Sequence, residues 1–228
     1  MKNTMKKILC FAAHPDDLEF TCTGLLSRFL RDGYEAVYVI ATNGENGFKD
    51  TGIPRTERIR IREEEQRAAA GALGVEEVVF MHHQDGFLEY SEALRRDLTA
   101  ILKKHRPEMV FSFDPANRSF ETLNLFHRDH RIMAEAVFDA CFAAKNRFMY
   151  PGERHRVKKI YFFGTDRPNH FEDITDFIDR KLEILAHHAS QFPDFSRIVD
   201  YVKNVQSRRT EKFKHAEAYR VIEVIQVV

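Results

Sequence analysis

Two short clusters of imidazole and carboxylate side chains stand about 110 residues apart in this sequence. Residues 14–17 read HPDD and directly follow an apolar run, whereas residues 127–130 read HRDH. Histidine and aspartate are ligands that zinc takes in hydrolytic sites, where three protein groups leave a fourth position open. The residue types and their spacing therefore indicate a metal-dependent hydrolase, if the fold brings the two clusters together.

The first cluster lies at the end of a predicted strand. Residues 6–13 are mostly apolar, with no turn-forming residue before Pro15, which predicts a short buried strand. Sheets of α/β proteins present their reactive groups at the carboxyl ends of the strands. His14 and Asp17 can fold back toward one point there, and Asp16 between them is a spare carboxylate.

The second cluster supplies the missing ligand. His127 and His130 are three residues apart at the start of a predicted helix, so their imidazoles share one face of that helix. The residues alone predict that His14, Asp17 and one of these two histidines hold the ion, with water in the fourth position. Which of the two histidines binds the ion is left open by the spacing.

This ligand set predicts a hydrolytic reaction. A bound zinc ion lowers the pKa of its water to about 7 and contributes several kcal/mol of charge stabilisation when it polarises a carbonyl. Asp16, next to a ligand, would act as the general base. The histidine that does not bind the ion would be the cation that stabilises the oxyanion or protonates the leaving amine. Asp129 would orient one of the imidazoles.

Each cluster also has a structural interpretation of its own. The aspartates of residues 14–17 can cap a helix, and residues 127–130 can form a solvated helix start. The presence of both clusters at strand-to-helix junctions favours a site. Two other histidine pairs, at residues 82–83 and 187–188, lack a second carboxylate cluster, so structural or substrate-facing roles are expected for them. The three glutamates of residues 63–65 are expected on an exposed helix face beside arginines.

Apolar runs alternate with helical periodicities along the chain. Predicted strands cover residues 6–13, 36–41, 78–81, 109–113 and 160–163. Predicted helices cover residues 18–31, 56–73, 91–105, 127–144, 173–191 and 196–213, and residues 219–228 form a predicted last strand. Such alternation predicts an α/β protein with a Rossmann-like three-layer fold, in which helices flank a mostly parallel sheet. No composition shift divides the chain, so residues 1–228 are expected to form a single domain.

Composition excludes several functional classes. The 35 basic and 35 acidic residues cancel, so no global field favours binding to nucleic acid or to an anionic membrane. No segment approaches the ~20 apolar residues that cross a bilayer, and the N-terminal residues lack the pattern of a signal peptide. Cys10, Cys22 and Cys141 are expected to be buried thiols of a cytoplasmic protein, neither a disulfide nor a cysteine zinc site.

Three alternative functions are compared with these residues. A dinucleotide oxidoreductase is excluded, because residues 14–17 put two negative charges where a pyrophosphate needs glycines and a free helix N-terminus. A non-catalytic module that binds a sugar or an amide on the same fold stays open, although the intact Asp16 argues against it. An amidohydrolase that acts on a non-sugar amide also stays open.

The sequence resembles the LmbE/PIG-L family of zinc-dependent N-deacetylases. The match rests on residues 13–17 followed by Glu19 and Gly24, on residues 42–47 and 62–75, and on residues 127–130, with weaker similarity at residues 181–191 and 217–220. It therefore extends over nearly the whole chain. Two positions depart from the family pattern: Thr23 precedes Gly24 where the family usually has a glycine pair, and Arg128 replaces a common proline.

The resemblance implies a role for each residue of the site. The implied metal ligands are His14, Asp17 and His130, the implied catalytic residues are Asp16, His127 and Asp129, and the implied sugar-binding residue is Arg62. Asp16 would be the general base, and His127 would stabilise the tetrahedral intermediate or act as the acid, with Asp129 beside it. Zn²⁺ is the implied cofactor, with Fe²⁺ as the alternative ion.

The resemblance also implies a substrate class. The family typically removes acetyl from an N-acetylglucosamine unit carried on a lipid, an inositol, a malate or another sugar. The expected activity is thus that of a cytoplasmic zinc-dependent N-deacetylase, a hydrolase of a linear amide bond. Its expected partner is a small N-acetylated amino sugar or a conjugate of one. Family members often form homo-oligomers, which makes self-association a further expectation.

Overall fold

A single mixed sheet forms the centre of the molecule in the computed structural model, which describes residues 6–117, 127–206 and 210–224. Within these ranges the sheet has seven strands in the order β3-β2-β1-β4-β5-β7-β6. They are β1 (Lys7–Ala12), β2 (Glu35–Thr42), β3 (Glu77–His83), β4 (Met109–Phe113), β5 (Lys159–Phe163), β6 (His170–Asp173) and β7 (Ala216–Glu223). Strands β1 to β5 are parallel, and β7 pairs antiparallel with β5 and β6. This arrangement confirms the predicted Rossmann-like α/β fold.

Two groups of helices flank the sheet. The helices are α1 (Asp17–Thr21), α2 (Thr23–Arg31), α3 (Arg55–Leu73), α4 (Glu92–His105), α5 (Arg128–Lys145), α6 (Ile178–Leu185) and α7 (Phe195–Tyr201). Helix α4 packs against α5, whereas α6 contacts α1, α2 and α3. No helix within the described residues combines the length and the apolar character needed to cross a bilayer.

Strand β1 is the most buried part of the sheet. Its residues Ile8, Leu9, Cys10, Phe11 and Ala12 have no exposed surface. A continuous apolar run of this kind is typical of a parallel strand covered on both faces, and each large side chain contributes roughly 1.5–3 kcal/mol through burial. The order of the strands reverses between β1 and β4, which pair with each other. Ligands of open α/β sheets bind outside the carboxyl ends of the strands at this point.

The helix predicted over residues 18–31 is in fact two helices, because the chain breaks at Cys22. The break is stabilised from a distant part of the chain. The carboxylate of Glu217 in β7 accepts the backbone N–H groups of Gly24 and Leu25 at 2.9 Å each, which caps the start of α2. A Cβ atom at Gly24 would lie 2.4 Å from the Ile174 side chain, so this glycine of the family pattern is required by packing.

The C-terminal third departs most from the predicted elements. Strand β6 is not predicted, and the helix predicted over residues 173–191 is a 3₁₀ turn at Thr175–Phe177 followed by α6 alone. The helix predicted over residues 196–213 ends earlier: α7 continues as a π-helical turn at Val202–Gln206, and residues 210–213 are not helical. Strand β6 depends on β7, which supplies its only pairing partner within the described ranges. Residues 118–126 lie outside the described residues.

Candidate active site

The two sequence clusters meet at the carboxyl edge of the sheet. Residues 14–17 directly follow β1, and His127 is the N-cap residue of α5, which follows β4. Asp17 Oδ1 lies 3.1 Å from His130 Nε2, and Asp17 Oδ2 lies 3.5 Å from His14 Nδ1. The ring centroids of His14 and His127 are 4.6 Å apart. The fold thus brings the predicted metal-binding residues of both clusters into one buried pocket.

Asp17 is held so that one oxygen remains for a ligand. Its Oδ2 accepts the backbone N–H groups of Ala13 and His14 at 3.1 and 2.8 Å, which fixes the carboxylate and leaves Oδ1 toward His130. The His130 ring stacks on Phe113 at 4.1 Å between centroids. Its buried ring nitrogens make no hydrogen bond among the described residues, although Nε2 lies within ion-pair distance of Asp17 Oδ1. A buried polar atom without a partner is rare in proteins, and an imidazole nitrogen facing a fixed carboxylate fits a metal ligand.

The electrostatics of the pocket favour a bound cation. Burial raises the pKa of Asp17, but the neighbouring His130 and His14 outweigh it, so this pKa lies well below its ordinary value. Burial likewise lowers the pKa of His14, yet hydrogen bonds to Asp129, Asp17 and Asp85 raise it well above the usual range. An imidazole that binds a proton so readily among three carboxylates can exchange that proton for a metal ion.

The other nitrogen of His14 is oriented by two carboxylates. His14 Nε2 lies 3.2 Å from Asp129 Oδ2 and 3.1 Å from Asp85 Oδ1, and because carboxylates only accept, this nitrogen carries the proton. Asp129 is itself fixed, since it accepts the N–H groups of Gly86 at 2.7 Å and Leu88 at 3.2 Å. A carboxylate behind a metal-binding histidine sets the tautomer of the ring. The cluster of His14, Asp85 and Asp129 is therefore better explained by these hydrogen bonds than by a second metal.

His127 differs from His130 in what its nitrogens contact. The backbone N–H of Asp129 donates to His127 Nδ1 at 3.3 Å, so a neutral His127 ring carries its proton on Nε2. Burial, followed by the nearby His130 and His14, lowers the pKa of His127 to about 4. His127 is therefore neutral near pH 7, so the expectation from the sequence that this histidine is a cation is wrong; as a neutral ring it can still donate a hydrogen bond. Of the two histidines left open by the spacing, His130 is the one that faces Asp17.

Asp16 is the most unusual residue of the site. Its φ angle is 90°, and its side chain does not cap α1, so the alternative prediction of a helix cap is wrong for this residue. Its Oδ2 instead accepts both Nη1 and Nη2 of Arg62 at 3.1 Å. Burial raises the pKa of Asp16, and the charge of Arg62 opposes this shift. A partly desolvated carboxylate beside the ligand set can serve as a proton acceptor.

Arg62 lies in the interior of the site. It is only 3% exposed, and besides Asp16 it donates to the carbonyl oxygen of Pro15. Close packing surrounds it, because a Cβ atom at Gly44 would lie 2.8 Å from Arg62 Nε. Its predicted contact with sugar hydroxyls stays a prediction.

Comparison with known proteins identifies the family. The sequence profile described as PIG-L, GlcNAc-PI de-N-acetylase, matches residues 9–141. The chain belongs to the PIG-L family. The diacetylchitobiose deacetylase of Thermococcus kodakarensis is 32% identical over 198 residues, which cover 84% of this chain and 72% of that protein.

Solved structures of other proteins share the fold of this chain. The N,N'-diacetylchitobiose deacetylase from Pyrococcus horikoshii, complexed with its inhibitor MPG, has a TM-score of 0.85 and 27% identity, with 96% of this chain and 85% of that chain covered. GalB, the 4-carboxy-2-hydroxymuconate hydratase from Pseudomonas putida, has a TM-score of 0.76 at 22% identity, with 98% of each chain covered. The fold is therefore compatible with more than one reaction, and the side chains must decide which one applies.

Some residues of this PIG-L pocket were not singled out from the sequence. Asp85 is the main one: it follows β3 at the same sheet edge, and its carboxylate accepts the backbone N–H of Asn46 at 3.0 Å as well as facing His14. Its position just past a parallel strand is the one sequence signal that it carries, and this signal alone does not distinguish it from other loop carboxylates. The sequence also indicates no role for Gln66 and Glu19, although Gln66 accepts the backbone N–H of Asp16 and Glu19 accepts a hydrogen bond from Gln66.

Proposed function

We propose that this PIG-L family protein is a metal-dependent hydrolase that removes the N-acetyl group from an N-acetylglucosamine-type sugar or its conjugate. One observation carries the proposal: Asp17 Oδ1 faces the buried ring of His130 at 3.1 Å, a ring that makes no hydrogen bond among the described residues, while the adjacent Asp16 carboxylate is held by Arg62. The two diacetylchitobiose deacetylases support the same class of substrate. The chain's own substrate is expected to be a small N-acetylated amino sugar.

His14, Asp17 and His130 would hold the ion, which we propose to be Zn²⁺, with Fe²⁺ as the alternative. Two imidazoles and one carboxylate suit zinc in a hydrolytic site, and the same donors also bind Fe²⁺. When bound, the ion would polarise the acetyl carbonyl and lower the pKa of the attacking water to about 7. Asp129 would keep the His14 tautomer fixed through its contact with Nε2.

The side chains around the ligands would carry the protons. Asp16 would take a proton from the attacking water as the oxygen adds to the acetyl carbon, and Arg62 would keep the carboxylate oriented. His127 would donate its Nε2 proton in a hydrogen bond to the oxygen of the tetrahedral intermediate. Asp16 would then return its proton to the sugar nitrogen as the C–N bond breaks, which leaves a free amine and acetate.

Release of acetate tests this function. We expect the zinc-supplied protein to release acetate from N-acetylglucosamine or N,N'-diacetylchitobiose, and the Asp16→Asn variant to retain metal while losing about 10²–10⁴-fold in turnover. Turnover of that variant at the wild-type rate would show that the assigned base is wrong. Release from N-acetyl amino acids alone would favour a non-sugar amide, and zinc binding without any release would favour a non-catalytic binding module.

Two broader properties are also proposed. Residues 1–228 would act as one domain. This is supported by the single sheet, which contains both β1, near the start of the chain, and β7, near its end. The protein would act in the cytoplasm, consistent with Cys10, Cys22 and Cys141, which are buried free thiols.

A further inference from the structure

The backbone of Asp16 requires a specific support. An aspartate at the N-cap of a helix ordinarily has extended backbone angles and accepts N–H groups of the first turn. Asp16 instead has a φ angle of 90°, a left-handed conformation that is unfavourable for residues other than glycine. Its carboxylate is thereby turned away from the amides of α1 and toward Arg62. Surrounding contacts must hold this conformation against relaxation.

Helix α3 provides two contacts to Asp16. Arg62 and Gln66 are four residues apart, so they share one face of that helix. Arg62 binds the carboxylate of Asp16, whereas Gln66 Oε1 accepts its backbone N–H at 3.0 Å. Gln66 has no exposed surface, so loss of this acceptor would leave the Asp16 N–H facing a buried site without a partner.

The amide of Gln66 is oriented by a second buried residue. Gln66 Nε2 donates to Glu19 Oε1 at 2.9 Å, and Glu19 is fully buried. Because the NH₂ group of Gln66 donates to Glu19, the amide oxygen of Gln66 is the atom that faces Asp16. Behind Glu19 lies the fully buried His188, whose Nε2 is 3.4 Å from Glu19 Oε2. His188, Glu19 and Gln66 thus form a chain of polar contacts that leads from the interior to the backbone N–H of Asp16.

We propose that Gln66, oriented by Glu19, is a positioning residue that holds Asp16 in its left-handed conformation and so directs the carboxylate at the reacting atoms. The inference rests on the proposed function, in which Asp16 is the base. It assigns Gln66 no contact with substrate or metal. A displacement of about 1 Å in a catalytic group can lower the rate about 100-fold, so a loss of this support should appear in kcat rather than in KM.

The Gln66→Met variant tests the proposal, because it keeps the length of the side chain and removes both hydrogen bonds. We expect kcat to fall about 10- to 100-fold, with KM and zinc content unchanged. We also expect the Asp16 amide to lose its protection from hydrogen exchange, a readout that does not depend on activity. The matched control is Lys103→Met on α4, which removes buried hydrogen bonds to the carbonyls of Met149 and Tyr150 away from the site. Its kcat should stay at the wild-type value.

A paired exchange distinguishes positioning from a general loss of stability. Gln66→Glu alone places a second carboxylate against Glu19 and should lower kcat. Adding Glu19→Gln restores a donor opposite an acceptor, so the double variant should recover most of the wild-type kcat and the protection of the Asp16 amide. If Gln66→Met proves insoluble, Gln66→Asn, one methylene shorter, replaces it with the same expected losses.

Two results would overturn the inference, and they differ from failure of the proposed function. Wild-type kcat in Gln66→Met or Gln66→Asn, or a double variant no better than Gln66→Glu, would show that Gln66 does not position the base. These outcomes count against the role of Gln66 when the Asp16→Asn variant, measured in the same assay, is inactive. A fully active Asp16→Asn would instead overturn the proposed function itself, and the inference with it.

Discussion

Replacing Asp129 by asparagine tests whether this carboxylate holds His14 as a metal ligand. The two buried oxygens of Asp129 accept three hydrogen bonds, from His14 Nε2 and from the N–H groups of Gly86 and Leu88. The Asp129→Asn side chain keeps the shape but has one acceptor oxygen. Its NH₂ group must therefore face either the N–H of Leu88 or the two donors of His14 and Gly86. In either case at least one buried donor loses its acceptor.

The expected losses follow from these contacts. Removal of a carboxylate partner behind a metal-binding histidine typically lowers metal affinity about 10- to 100-fold, which corresponds to roughly 1.4–2.8 kcal/mol of binding free energy. A buried donor without an acceptor costs about 1–3 kcal/mol of the free energy of unfolding. We expect both losses in Asp129→Asn, the first in competition of zinc with a chromophoric chelator and the second in urea unfolding of the metal-free protein.

A neighbouring aspartate provides the control. Asp139 lies on the same helix, α5, and accepts a hydrogen bond from the Tyr90 hydroxyl rather than from His14. Asp139→Asn makes the same chemical change, so its zinc affinity should equal that of the wild type. If Asp129→Asn also binds zinc as tightly as the wild type, Asp129 does not orient the ligand and the reasoning is refuted.

Two further predictions address the ligand set and the packing. His130→Ala removes the imidazole that faces Asp17, so the purified variant should hold far less than the one zinc per chain expected in the wild type; equal metal content, measured by atomic emission, would contradict the assignment of His130. Gly24→Ala places a Cβ atom 2.4 Å from the Ile174 side chain and should lower the free energy of unfolding by about 1–3 kcal/mol. An unchanged urea midpoint in Gly24→Ala would show that Ile174 moves aside at no cost.

Local sequence patterns predict the parallel strands of the sheet and the antiparallel strand β7, but not strand β6 at the edge. Strand β4 spans Met109–Phe113, as its apolar run predicts, because Pro107 and Asp114 bound that run on either side. By contrast, the break between α1 and α2 depends on Glu217, about 190 residues away in the chain. Strand β6 similarly exists through its pairing with β7. Such long-range partners leave no periodicity in the segment that they shape.

The site shows the same division between local and distant causes. The meeting of residues 14–17 with residues 127–130 is predictable, because both follow parallel strands whose carboxyl ends share one edge. Residue type also predicts that Asp129 orients an imidazole, and the structure identifies that imidazole as His14. The sequence does not reveal the contact of Asp85 with His14, because a single acidic residue in a polar loop is common in any protein.

The conformation of Asp16 is the feature that separates a catalytic site from a structural turn. From sequence alone, HPDD before a helix is compatible with an ordinary cap, and the fold does not decide the matter, since a hydratase shares it. The carboxylate of a capping aspartate would accept hydrogen bonds from the backbone N–H groups of α1. Here the left-handed backbone directs that carboxylate to Arg62, next to the buried histidines, where its proton affinity can serve a reaction. A partly buried carboxylate that is kept out of the cap by an unfavourable backbone conformation, beside the proposed metal ligands, favours hydrolysis over simple ligand binding.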